Sequence, residues 1–319
     1  MKKRKYLFGP VPSRRFGWSL GVDLNPYKTC SLDCVFCQLG RTTNKTLSRK
    51  EYVPTGDVIS EIDDWLQTEG SADFITLSGS GEPTLHLHFG KILDYIRSNS
   101  NIPAVLLTNG TMLNLKEVRD AALSASIVKI SLSAWDQPSY EWINRPHKQL
   151  EFSQLIEGYK EFRKQFHGEL WLEVFLVWGI NSIPSDVRKI AALAREIRPD
   201  RIHLNTAVRP PAEEFAEAVS IERLSSLRHM FNPEAEVIAE FNVSKDISVK
   251  ANKDSIFSML ARRPCTIDHI AKGFGLHINE VSKYIGNMIR SGEIMEERKN
   301  STVYYTATRM KAIGKNSGS

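Results

Sequence analysis

The chain has 319 residues, of which 41% are hydrophobic and 25% charged, and a formal net charge of +5. That composition excludes a disordered or fibrous chain and leaves room for one large core and a smaller appendage. No apolar run approaches a membrane span. The basic start Met1-Lys2-Lys3-Arg4-Lys5 leads into Pro10, Pro12, Arg14 and Arg15, where a signal peptide would need an apolar stretch, so no membrane partner and a cytoplasmic location are expected.

Over the first two hundred residues, β-rich runs alternate with helical patterns. Strands are predicted at 20–24, 74–77, 104–108, 127–132, 170–177 and 201–205. Between them Val58, Ile62, Trp65 and Leu66 recur at helical spacing after Asp57, which reads as the N-cap. Further helices are predicted over 88–98, 114–123, 152–166 and 185–197, the last preceded by Pro184, and Asn109-Gly110 stops the third strand. Strands that each lead into a helix or a long loop imply parallel pairing through right-handed crossovers. The expected fold class is α/β, a partial (β/α)6 barrel over residues 1–210, with chemistry collected at the C-terminal strand ends.

Residues 211–252 read as a connector with a helix near 221–231 and a strand at 235–241. From 253 to 310, helices at 255–261, 267–272 and 280–290 and β-rich runs at 294–298 and 303–306 follow the order of a winged helix-turn-helix domain, with Gly273 and Gly275 marking a turn. Residues 311–319 are expected to be a disordered tail. Twelve Lys or Arg against six Asp or Glu after residue 249 place the whole positive excess at this end. Nucleic acid is therefore a candidate partner, met by Asn279, Ser282, Lys283 and Arg290 on the third helix and by Arg298 and Lys299 on the wing. Glu280, Glu293, Glu296 and Glu297 dilute the patch, and protein binding or a lid role stays open.

Three of the four cysteines, Cys30, Cys34 and Cys37, fall within eight residues directly after the first strand. Disulfides would spread out, so clustered thiols in a reducing compartment point to a metal. Zinc usually takes its ligands in pairs, and no second pair exists, since Cys265 is remote and reads as a small buried residue. Three thiolates on an iron–sulfur cluster leave one iron open for a small molecule to chelate.

Cys30-x3-Cys34-x2-Cys37, with Phe36 before the last cysteine, resembles the signature of the radical S-adenosylmethionine superfamily, and the resemblance runs over about residues 6–210. It implies a 4Fe–4S cluster on Cys30, Cys34 and Cys37, with S-adenosyl-L-methionine as cofactor and Phe36 near its adenine. Ser78-Gly79-Ser80-Gly81-Glu82-Pro83 is similar to the glycine turn of that family, whose backbone binds the methionine amino group, which implies that role for Ser80, Gly81 and Glu82, a carbonyl or carboxylate suiting an ammonium. Ser80 stands where a glycine is usual. Ser131 and Ser133 share one side of a strand end by the two-residue period, and the resemblance directs them at the cofactor's carboxylate or ribose. Asn181 matches an asparagine that related enzymes place near the ribose, and Thr108-Asn109-Gly110 matches a common ending of the third strand. Glu173 reads either as part of this site or as a satisfied core residue.

Three further segments resemble a branch similar to the wyosine-base-forming tRNA enzymes, though without cysteines for their second cluster. They are Phe8–Arg15 with Ser19–Asp23, then Ile143-Asn144-Arg145-Pro146-His147, and Leu204–Pro211. Arg145 and Arg209 follow the fourth and sixth strands and are the candidate catalytic residues, since an arginine fork can orient a carboxylate or phosphate. Arg14 and Arg15 receive no role, and His86 and His88 read as ordinary surface residues. The resemblance implies reductive cleavage of the cofactor to a 5′-deoxyadenosyl radical that modifies a tRNA or other nucleic-acid base. An electron donor such as flavodoxin or ferredoxin is implied as partner. A protein or small-metabolite substrate, or an iron–sulfur redox-sensing DNA-binding regulator, are the alternatives.

Overall fold

The structure is a computed structural model that describes residues 4–13, 15–238, 252–299 and 302–308. It opens with an antiparallel hairpin, β1 (Leu7–Ser13) and β2 (Gly17–Val22), and a short parallel pair, β3 (Thr29–Cys30) and β4 (Asn44–Lys45), that flanks the cysteine loop. Then come α1 (Thr55–Thr68), β5 (Phe74–Leu77), α2 (Phe89–Asn99), β6 (Ala104–Leu107), α3 (Lys116–Ala122) and β7 (Ile127–Ser131). After α4 (Gln137–Asn144) and α5 (Phe152–Gln165) the alternation resumes with β8 (Glu169–Leu176), α6 (Pro184–Ile197), β9 (Arg201–Thr206), α7 (Ile221–Leu227) and β10 (Glu236–Val237).

These strands form one sheet in the order β1-β2-β5-β6-β7-β8-β9-β10, parallel from β2 onward. The fold is mixed α/β around a parallel sheet and agrees with the expected partial barrel. Six strands coincide with the predicted runs. The hairpin partner β1 is an addition, while the short β10 falls within the strand expected at 235–241 and pairs beside β9 at the edge; residues 239–241 lie outside the described residues, as do Arg14 and the tail at 311–319. Helix α4 was also not predicted. It is eight residues long, too short to show periodicity, and its start is signalled instead by the reciprocal Asp136–Ser139 capping box. Helix α1 starts at Thr55 after Pro54, which corrects the reading of Asp57 as its cap; Asp57 sits in the first turn, where a negative charge suits the helix dipole.

Strand alternation gives the sheet two unlike faces. Leu20, Ile75, Leu106, Val128, Leu172 and Leu204 pack under the helices in the main core. The opposite face is closed at one end by Phe16, Val105, Ile127 and Trp171, with Phe16 stacked on Trp171 at 5.1 Å. Further toward the C-terminal strand ends the same face turns polar, through Lys129, Glu173 and His203 and then Ser131 and Asn205.

The C-terminal unit has α8 (Lys253–Leu260), α9 (Ile267–Phe274), α10 (Ile278–Arg290) and an antiparallel pair, β11 (Ile294–Lys299) and β12 (Thr302–Ala307). Gly275 ends α9 at φ +65°, a left-handed position where a Cβ would be strained. The core of this unit includes Val11 and Trp18 from the first hairpin, and Trp18 packs on Phe274 with ring centroids 5.6 Å apart. Two hydrogen bonds add to the seat: Gly9 N–H donates to Ser258 Oγ at 3.1 Å, and Arg263 Nη2 donates to the Pro12 carbonyl at 2.7 Å. Truncating the buried ring by Trp18→Ala should cost about 3–5 kcal/mol. The expected readout is faster amide hydrogen exchange in α9 while β7 and β8 keep their protection.

Candidate active site

The cysteine loop is tied down before any ligand is considered. Asp33 N–H donates to the Asn144 carbonyl and Val35 N–H to that of Ile143, both at 3.0 Å, which fixes the loop on the end of α4. Each thiol then meets a side-chain donor. Asn109 Nδ2 lies 3.5 Å from Cys30 Sγ, Asn144 Nδ2 3.3 Å from Cys34 Sγ and Lys28 Nζ 3.2 Å from Cys37 Sγ. Burial and the nearby Glu82 push the Cys30 thiol up to about 12, and burial raises Cys34 as well. Burial lowers Lys28, but Cys37 and Cys30 outweigh it and hold the ammonium above its ordinary value.

This donor set suits a soft multi-iron group. Such sulfurs need positive charge to shed their protons, and the donors around them then stabilise the thiolates. The three thiols interact electrostatically with one another.

The glycine turn packs onto this loop. Lys28 N–H donates to the Ser80 carbonyl at 2.7 Å and Glu82 N–H to that of Thr29 at 3.0 Å. A Cβ on Gly81 would stand 1.9 Å from the Thr29 carbonyl oxygen, so only glycine fits. Ser80 Oγ donates to Asp23 at 2.5 Å, and Arg262 of the C-terminal unit reaches both Asp23 and Ser80 Oγ, the latter at 3.2 Å. The Glu82 carboxylate is committed within the protein. It is buried and accepts from Thr84 N–H and Oγ1, Thr108 Oγ1 and Asn109 N–H, so it anchors the turn to the end of β6 and leaves only backbone for an ammonium. Burial raises its proton affinity despite those donors.

Beside Cys34 lies a small cavity of about 60 Å³, lined by Phe36, Asn109, Ser131 and Ser133 among others. Ser133 Oγ is buried with no partner there, the kind of orphan that a bound polar group would satisfy. Phe36 stacks on Phe175 with centroids 4.0 Å apart, which fixes the plane of its ring. Asn181 is a second such residue. It is fully buried, its amide donates to the carbonyls of Ser133 and Phe175, and its oxygen accepts from Val177 N–H. It ties the end of β8 to the carbonyl of Ser133 beyond β7, so its side chain is committed within the protein.

The two candidate arginines part company. Arg145 is half-exposed, ends α4 in the left-handed region and pairs with Glu213, which Arg41 shares. Arg209 is buried, donates to Gln38 Oε1 at 2.8 Å and has an unpartnered Nε. His86, expected at the surface, is fully buried with both ring nitrogens used, against the Val53 carbonyl and His88 N–H. Arg15, to which the sequence assigns no role, pairs with Glu173, which also takes Lys129 at 2.6 Å and Asn205 at 3.0 Å. Asn109, Asn144 and Lys28 were missed as partners of the thiols. Each lies in or next to a segment quoted above, but no local pattern says that its side chain turns toward sulfur.

Above this network opens a cavity of about 910 Å³, walled by Arg15 and Thr76 of the sheet side, Gln38 and Leu39 after the cysteines, Ser80, and Arg263 of the C-terminal unit. Burial would raise Glu173, but Arg15 and Lys129 hold it well below the usual carboxylate range. Burial, then Lys129 and Arg15, push His203 down to about 3 from 6.5. The folded protein thus resists a proton that the unfolded chain accepts. Stability should be full above pH 6.5 and fall as pH drops from 6.5 toward about 3, and His203→Leu should flatten that loss in urea titrations across the window.

With this geometry in hand, comparison with known proteins is specific. The Radical SAM superfamily matches residues 24–194. A UPF0026 protein of Methanocaldococcus jannaschii is 30% identical over 93% of this chain and 94% of its own. A Brachyspira hyodysenteriae protein called GTPase Obg is 35% identical over 95% of this chain, which spans only 45% of that relative's length. The structure of TYW1 with a lysine–pyruvate adduct bound superposes with a TM-score of 0.53 at 16% identity, over 72% of this chain and 76% of the other. The matched segment carries the cysteine loop, the glycine turn and the strand ends described above, and the chain belongs to the radical SAM superfamily.

Proposed function

We propose that the protein is a radical enzyme that holds a 4Fe–4S cluster on Cys30, Cys34 and Cys37 and S-adenosyl-L-methionine beside it. The observation that carries this reading is the set of three half-buried thiols, each with its own side-chain donor, next to the orphaned hydroxyl of Ser133. When bound, the cluster supplies the electron that splits the cofactor into methionine and a 5′-deoxyadenosyl radical. The protein's part is to bind and orient. Carbonyls of the Ser80–Glu82 turn would take the methionine ammonium, Ser131 and Ser133 its polar groups, and the Phe36 face the adenine. An external donor such as a flavodoxin or ferredoxin would reduce the cluster.

The substrate, on this reading, occupies the large cavity between the sheet and the C-terminal unit. The helix-and-hairpin order of that unit is that of a winged helix, and its charge supports a lid over a phosphate-binding role. Of the twelve basic residues after 249, Lys250, Arg309, Lys311 and Lys315 lie outside the described residues, and Arg262 and Arg263 face the cavity. The six that remain on the unit meet six acidic ones, and Lys253 is already paired with Glu293 at 2.7 Å. An enclosed small molecule or side chain is therefore favoured over a nucleic acid.

Reconstituted protein should release methionine and 5′-deoxyadenosine under anaerobic reductant. Cys34→Ala should abolish both the cluster, read by iron content and low-temperature electron paramagnetic resonance, and the products; Cys265→Ala should abolish neither. An intact, reduced cluster that makes no 5′-deoxyadenosine would leave the regulator as the better reading. Gly81→Val should suppress cleavage at least about a hundredfold, because displacing the turn from Thr29 moves its carbonyls off target.

A further inference from the structure

We propose that Arg15, Arg209 and Arg263 together form a receptor for an oxyanion, a carboxylate or a phosphate, carried by the substrate in the large cavity. The proposal rests on the reading of that cavity as the substrate site.

The three guanidinium groups come from distant parts of the chain: the turn between β1 and β2, the segment after β9, and the segment after α8. Arg15 and Arg263 line the cavity, as does Gln38, which accepts from Arg209. Arg263 donates to the Pro12 carbonyl, close in sequence to Arg15. Burial first, then Arg263 and Arg15, bring Arg209 down to about 10 against the opposing pull of Cys265, and burial and Arg15 outweigh Cys265 to lower Arg263.

Gathering like charges in a buried place is costly, and the acids near them are shared with other cations. Glu173 is shared between Arg15 and Lys129, Asp23 is engaged by Arg262, and Glu293, the acid on the cavity wall, is held by Lys253. Arg209 is 6% exposed, and its Nε, like that of Arg15, has no acceptor. An oxyanion satisfies such a set, because planar guanidinium groups bind carboxylate and phosphate oxygens with paired, charge-assisted hydrogen bonds. A cavity of about 910 Å³ is far larger than one such group, so the anion is a handle on a bigger molecule whose reacting carbon is held toward the cysteine loop through Gln38 and Leu39.

The test uses cluster-reconstituted protein, titrated calorimetrically with inorganic phosphate and, separately, with malonate, against chloride at matched ionic strength. One of the two anions should bind saturably, and the tighter one names the substrate's group. Arg209→Gln and Arg263→Gln should each weaken that binding about tenfold, while Lys283→Gln on the outer face of α10 should leave it unchanged. Circular dichroism checks each fold, and the half-buried Arg263 provides the decisive variant should the Arg209 change unfold the protein. Binding by neither anion, or equal binding by parent and Arg263→Gln, overturns the proposal. Competitive displacement of the anion by S-adenosyl-L-methionine also overturns it, since the arginines would then hold the cofactor's carboxylate. Anion binding without any 5′-deoxyadenosine production supports the receptor while refuting the radical function; 5′-deoxyadenosine without anion binding does the reverse.

Discussion

The contact on which the site depends is the close approach of the Ser80–Glu82 turn to the Thr29 carbonyl. At Gly81 there is no space for even one methyl group, and the backbone bonds on either side of it lock the turn to the residue before Cys30. From there the order spreads inward. The buried Glu82 carboxylate gathers Thr84, Thr108 and the Asn109 N–H, and the Asn109 side chain then reaches Cys30 and Ser31. A buried carboxylate with four donors is a stiff node, because losing any one donor leaves charge unsatisfied in a medium that cannot screen it. The ends of β5 and β6 and the first cysteine are thereby held as one piece.

A second node does the same at the other side of the site. Asn181 bridges the carbonyls of Ser133 and Phe175, and Phe175 in turn supports Phe36. Both nodes use side chains that the family resemblance assigned to the cofactor. In the structure both are committed within the protein, Glu82 to the end of β6 and Asn181 to the carbonyls of Ser133 and Phe175. Side chains fully committed within the protein make good supports, since their own geometry cannot drift.

The C-terminal unit belongs to the same construction. It shares a core with the first hairpin, and its Arg262 reaches Asp23 and Ser80 at the back of the glycine turn. A unit that would read as a separate nucleic-acid module therefore closes one wall of the cavity, and part of its positive charge is directed inward. This also explains why the hairpin segment Phe8–Arg15 carries so many unusual residues. It supplies the seat for the unit through Gly9, Val11 and Pro12, and the inward Arg15 that pairs with Glu173.

Much was legible in the sequence. Short apolar β-rich runs and helical spacing located six strands and most helices, because burial on two sides of a parallel sheet leaves a continuous imprint on the chain. Three thiols within eight residues, and a glycine turn after a strand, marked the site because both are local patterns. What sequence could not show is where long side chains point. Whether Arg209 is a surface residue or a buried cation, whether Glu82 faces a ligand or Thr108, and whether His86 is wet or fully buried depend on elements that meet only after folding. The partners of the thiols, Lys28, Asn109 and Asn144, come from three separate parts of the chain. Local pattern thus determined the cysteine loop, the glycine turn and the sheet. The tertiary structure alone decided their surroundings, because burial and hydrogen-bond partnership are set by contacts between segments that share no sequence signal.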